Sequence, residues 1–129
     1  MIFTTGGGNY LQAYQACKAA PYTAMLATLR NQEETNKLLA KLPQSSYALW
    51  IGLSNTLPPD SPFHSGTDNK AEWMWISDGK PPEWDHWAPM ANMHPADPEP
   101  NNWSGIEGQC AGVWGFSDNQ RIPGEWNDL

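Results

Sequence analysis

At 129 residues the chain has room for one domain and not for two. Hydrophobic residues make up 40% of it, 8 of them Trp, which is enough core material to exclude disorder along the whole length. Its net charge of -7, from 7 basic and 14 acidic residues, argues against nucleic acid and anionic membrane surfaces as partners.

The stretch after Met1 is broken by Thr4, Thr5, Gly6, Gly7, Gly8 and Asn9, so nothing there has the form of a signal peptide. No apolar run approaches the roughly 20 residues that span a bilayer, so membrane insertion by this chain is not expected. Ala13, Ala16, Cys17 and Ala20 recur at three- and four-residue spacing and predict a short helix from Tyr10 that Pro21 ends. Asn31 and Glu34 form a cap pair ahead of Leu38, Leu39 and Leu42 on one stripe, a second helix stopped by Pro43. Tyr47, Leu49, Ile51 and Leu53 then alternate with Ala48 and Trp50, so both faces are apolar and the strand is expected at the centre of a sheet.

Prolines and glycines concentrate from Ser54 to Gly124, which points to shaped loops in this half. Within it Trp73, Trp75 and Ile76 predict a short aromatic strand closed by the hairpin signal Asp78-Gly79. Residues Lys80 to Ser104 hold six prolines and no periodicity, a loop long enough to suggest function. Cys110 to Phe116 is a further apolar run, and Glu125 to Leu129 begins another element. Two helices followed by short strands and long loops make an α+β pattern.

Between Ser54 and Trp103 eight acidic residues face two basic ones, Lys70 and Lys80. Charge alone favours a solvated acidic face over a cation site. Two short stretches sharpen the choice. Glu99-Pro100-Asn101 sets a carboxylate and an amide on either side of a proline, and Trp126-Asn127-Asp128 supplies a second amide and carboxylate. Calcium takes six to eight such oxygens in irregular geometry, whereas magnesium demands a stricter one. His64, His86 and His94 are spaced irregularly and read as ordinary loop histidines, which leaves zinc and copper without a ligand set. Taken singly, Glu-Pro-Asn and Asn-Asp are also good turn formers.

In chain order, Cys17, the approach from Leu26 to Glu34, Trp50-Ile51-Gly52-Leu53, Trp73-Met74-Trp75 with Asp78-Gly79, Trp87-Ala88-Pro89, Glu99-Pro100-Asn101-Asn102, Cys110 and Trp126-Asn127-Asp128 resemble the C-type lectin-like domain family over nearly the whole chain. The resemblance implies a C-type lectin-like α+β fold and a calcium-dependent carbohydrate-binding domain without catalysis. It implies Glu99, Asn101, Asn127 and Asp128 as ligands to calcium and to sugar, with a cis bond at Pro100. Glu107 takes the place of the family's additional acidic ligand, although it lies three positions before Cys110 where the family commonly has two. Asn102 and Trp103 are candidates for auxiliary contacts, each reading equally well as an ordinary loop residue. The Glu-Pro-Asn order resembles the subgroup that prefers mannose, glucose, N-acetylglucosamine or fucose; Gln-Pro-Asp accompanies galactose. Glycans on glycoproteins or cell surfaces are the implied partners, with an extracellular location and several sites on one assembly for useful avidity.

Two departures stand out. The family pairs the equivalents of Cys17 and Cys110 with cysteines near the domain's end and just past Trp-Asn-Asp, and neither partner follows Asp128 here. The chain therefore reads as a domain lacking part of its first strand and its last strand, with a Cys17–Cys110 link left open. The second departure is an insertion between Pro89 and Glu99. Two other functions stay in view: a calcium-independent protein-binding module on the same scaffold, and, ranked last, a glycosidase using Glu99 and Glu107 as an acid/base pair.

Trp50, Trp73, Trp75 and Trp114 lie in apolar strand runs and are expected in the core, and Trp126 is expected to anchor its neighbours by packing.

Overall fold

The computed structural model describes residues 10–19, 25–41, 48–55, 69–89, 98–102, 110–115, 117 and 121–128. Helix α1 runs Tyr10–Ala19 and helix α2 runs Gln32–Leu39. Four strands follow, β1 Ala48–Ser54, β2 Met74–Trp75, β3 Cys110–Trp114 and β4 Trp126–Asp128, in one antiparallel sheet of order β2-β1-β3-β4. This is the α+β architecture the sequence predicts.

Local chemistry sets the helix ends. Asn31 stands in extended backbone and its Oδ1 accepts from the Glu34 N–H at 2.8 Å, which satisfies one orphan donor of α2. The Glu34 carboxylate reaches back to the N–H of Arg30 at 2.7 Å, one residue further out than a simple capping box, and so fixes the approaching chain as well. The helix closes at Leu39, short of the predicted Leu42, which lies outside the described residues. Its buried stripe is Thr35 and Leu38. Thr35 tolerates complete burial because its hydroxyl donates back to the Asn31 carbonyl at 3.2 Å, leaving its methyl group to pack.

As its two apolar faces predict, β1 is central, paired with β2 on one side and β3 on the other. Gly52 lets the Leu26–Leu29 segment approach it: a Cβ there would come within 2.9 Å of the Leu26 carbonyl oxygen, and the Gly52 N–H donates to Ala27 O at 2.8 Å. The Asp78-Gly79 signal forms a tight turn, with Gly79 at φ 69° and the Trp75 N–H donating to Lys80 O at 2.9 Å. The chain beyond Lys80 does not continue as a returning strand, because it runs into Pro81 and Pro82, which have no N–H to offer a ladder.

Ile51, Leu53, Trp73, Trp75, Trp87, Val113 and Trp126 form the main core with Leu29 and Leu38. Trp126 sits among three other indoles, 5.5 Å from Trp75, 5.6 Å from Trp84 and 5.7 Å from Trp87, all edge-on. Such contacts add about 0.5–1.5 kcal/mol each to the area they bury. Trp73, Trp75 and Trp114 are buried as expected, but Trp50 is half-buried at the margin of a smaller cluster around Leu26 and Cys110. Cys17 packs against that cluster from α1, and both cysteines are free thiols, so the Cys17–Cys110 link left open by sequence is not formed.

Candidate functional site

The site begins at β4. One side of this strand pairs with β3, matching Ala111 to Asp128, Gly112 to Asn127 and Val113 to Trp126. Its other side takes the segment His86–Ala88 as a parallel bridge: Trp126 N–H donates to His86 O at 2.8 Å and Ala88 N–H to Trp126 O at 2.9 Å. Ala88 then offers its carbonyl to the N–H of Glu99 at 2.9 Å. Three backbone bonds in series therefore set Glu99 against β4.

The Glu99–Pro100 peptide is cis, as the resemblance implies. Asn102 follows with φ 43°, a left-handed conformation that Asn tolerates better than most residues. The two backbone N–H groups of this loop meet one carboxylate: Asn101 N–H donates to Asp128 Oδ1 at 3.2 Å and Asn102 N–H to Asp128 Oδ2 at 2.9 Å. Asp128 has no exposure to solvent, so these two charge-assisted bonds are what make its burial tolerable. The structure thus ties the half-buried Asn101 and Asn102 to Asp128 at the edge of the sheet and sets the backbone of Glu99 beside the same strand, with Glu99 3% and Asn127 6% exposed. Glu107 and Trp103 lie outside the described residues, as do His64 and His94.

Three side-chain amide oxygens there are shut off from solvent and accept no hydrogen bond among the described residues: Oδ1 of Asn101, of Asn102 and of Asn127. A buried acceptor left this way costs about 1–3 kcal/mol, and the donor set is oxygen only, two carboxylates with three amide carbonyls. A hard cation of calcium type fits that set, since it takes carboxylate and amide oxygens together. No group of three His, Cys, Asp or Glu side chains gathers among the described residues, so the fit rests on amides as much as on carboxylates. Trp126 Nε1 is also buried without a partner, but as a donor it has no use for a cation.

Sequence reasoning gave no part to three residues packed beside β4. Glu125 is a buried carboxyl beside β4; burial pushes its pKa up, while the charge of His86 and a hydrogen bond at Ile122 pull it down. Gly124, at φ 93°, lies so close to α2 that a Cβ would stand 2.8 Å from Thr35 Cγ2. His86, read as an ordinary loop histidine, is half-buried with Nδ1 3.1 Å from Gly124 O. No periodicity or motif marks any of the three.

Residues 7–129 match the family model described as Lectin C-type domain. Among solved structures, the mouse scavenger receptor C-type lectin carbohydrate-recognition domain is similar at 25% identity and TM-score 0.56, over 92% of this chain and 68% of that one. The C-type lectin CEL-I from Cucumaria echinata is similar in fold at 18% identity and TM-score 0.60, over 92% of this chain and 72% of that one. No curated protein matches the sequence significantly. Among the described residues no helix is long and apolar enough to cross a membrane.

Proposed function

The chain belongs to the C-type lectin domain family, and on that premise we propose that it is a calcium-dependent carbohydrate-binding domain of the mannose type, with no catalytic step of its own. The observation that carries this reading is the set of three buried amide oxygens without donors, carried by the loop and the strand that the Asp128 carboxylate pins together. The mouse neighbour is described as a carbohydrate-recognition domain, which supports the same class of ligand here.

Glu99, Asn101, Asn127 and Asp128 would hold the ion, with Glu107 as a further acidic ligand and Asn102 and Trp103 as auxiliary contacts. When bound, calcium supplies a Lewis-acidic centre to which two neighbouring sugar hydroxyls each give one lone pair. The chain's own groups use the remaining capacity of those hydroxyls: an Asn side-chain N–H donates to the oxygen, and the Glu99 carboxylate accepts a hydrogen bond from the hydroxyl. Asp128 has a separate duty, because its two oxygens already fix the backbone of Asn101 and Asn102 and hold the amides in place. The order Glu99-Pro100-Asn101 is what supports mannose-type over galactose-type sugars. Glycans outside the cell are the proposed partners.

A polar site of this kind binds weakly, at about millimolar or roughly -4 kcal/mol, because each hydroxyl contact replaces one to water. Retention on immobilised mannose and galactose, with and without a chelator, tests the proposal. Calcium-dependent retention on mannose and not galactose is expected. Retention that survives chelation removes the calcium reading, and a protein ligand bound under chelator favours the protein-binding alternative.

A further inference from the structure

His86 grips the entry to β4 at two points. Its ring Nδ1 lies 3.1 Å from Gly124 O, and its main-chain carbonyl accepts the Trp126 N–H at 2.8 Å. A carbonyl only accepts, so Nδ1 carries the proton in this contact. The residue thus spans the tripeptide Gly124–Trp126 with one side-chain and one backbone bond, which fixes the register of residues 86–88 against the strand.

Gly124 is a fixed point for that grip. Its N–H donates to Trp114 O at 2.8 Å, tying it to β3, and its α-carbon lies against Thr35 of α2, with no room for a Cβ. The ring of His86 also packs against Trp84, at 5.3 Å between centroids. Two residues further on, Ala88 takes Trp126 O with its N–H and gives its own carbonyl to Glu99. A slip of residues 86–88 along β4 would therefore move Glu99 relative to Asn127 and Asp128.

We propose that His86 is a positioning residue for the site: through Gly124 O it sets the separation between Glu99 on the loop and the Asn127–Asp128 pair on β4. Its functional meaning rests on the calcium and sugar reading above. Its structural content does not.

Two variants separate these levels. His86→Asn keeps an N–H donor near the place of Nδ1, and His86→Leu removes the donor at similar bulk. Amide hydrogen exchange followed by NMR on the metal-free chain reads the effect directly. Loss of one hydrogen bond predicts about fivefold faster exchange at Glu99, Asn101 and Asn102 in His86→Leu, with β1 and β3 amides unchanged and wild-type rates returning in His86→Asn. Calcium titration should show affinity about tenfold weaker in His86→Leu and close to wild type in His86→Asn. The proposal is overturned if the Leu variant leaves residues 99–102 unchanged, if the β1 and β3 amides accelerate equally, or if Asn does not restore the rates. Absence of any calcium binding by the wild-type chain would remove the site reading alone, since the exchange result is obtained without metal.

Discussion

Asn102 donates its backbone N–H to Asp128 Oδ2 at 2.9 Å across 26 residues of sequence, and it does so from a left-handed backbone at φ 43°. This bond and its neighbour from Asn101 make Asp128 the tie between the loop and the sheet, whatever else the carboxylate holds. Asp128→Asn should therefore weaken the fold even under chelator. One of its two acceptors becomes an N–H2 group facing a donor, at a cost of about 1–3 kcal/mol. Urea denaturation of the two chains in chelator measures the difference, and equal midpoints would contradict the tie.

Calcium itself should stabilise the wild-type chain. A ligand that binds only the native state at one hundred times its dissociation constant adds about 2.7 kcal/mol. Asn101→Ala and Asn127→Ala remove two of the unpartnered amide oxygens, so the rise in melting temperature on adding calcium should shrink or vanish in both. A full rise in either variant would remove that residue from the ligand set.

Gly124→Ala meets two obstacles, a backbone at φ 93° and a Thr35 methyl 2.8 Å from the new Cβ. The backbone term alone is about 1–3 kcal/mol. Thr35→Ser deletes the methyl, so a double variant should recover the steric part and leave the backbone part. Thermal unfolding of the singles and the double gives both. Additive losses would mean that α2 and the turn before β4 are not in contact.

Burial pushes the Cys110 thiol from 9.0 up to about 12, and a hydrogen bond from Ser54 only partly offsets it. The raised value belongs to the folded state, so its contribution is intact below pH 9 and is lost as pH rises toward 12. Over that window the unfolded chain sheds a proton that the native chain keeps, and stability should fall by about 1.4 kcal/mol per pH unit. Cys110→Ala should flatten this slope when denaturation midpoints are compared from pH 8.5 to 10.5. Parallel slopes would assign the decline to other groups. The same burial should make Cys110 slow toward thiol reagents until the chain unfolds.

Much of the fold is legible locally. The Asn31–Glu34 cap, the two-faced alternation of β1 and the Asp78-Gly79 turn each depend on residues within a few positions of one another, and each forms where its signal stands. The deviations are local too. Glu34 caps Arg30 where Asn31 was expected, and Trp50 is left at the margin because the small cluster around Leu26 and Cys110 covers only part of it.

The residues of the candidate site could be named from sequence because a resemblance supplied their order. Their meeting could not be derived that way. Asn101 and Asp128 are 27 positions apart, and only the placement of β4 at the sheet edge, with residues 86–88 on its far side, brings a backbone N–H to a buried carboxylate. The same placement gives His86 and Gly124 their parts. Short-range preferences fix helix ends, turns and strand faces because their partners are neighbours in the chain. Which distant oxygens share one dry volume depends on how the sheet is ordered and packed, and that is settled by burial of the tryptophan core, a property of the whole molecule.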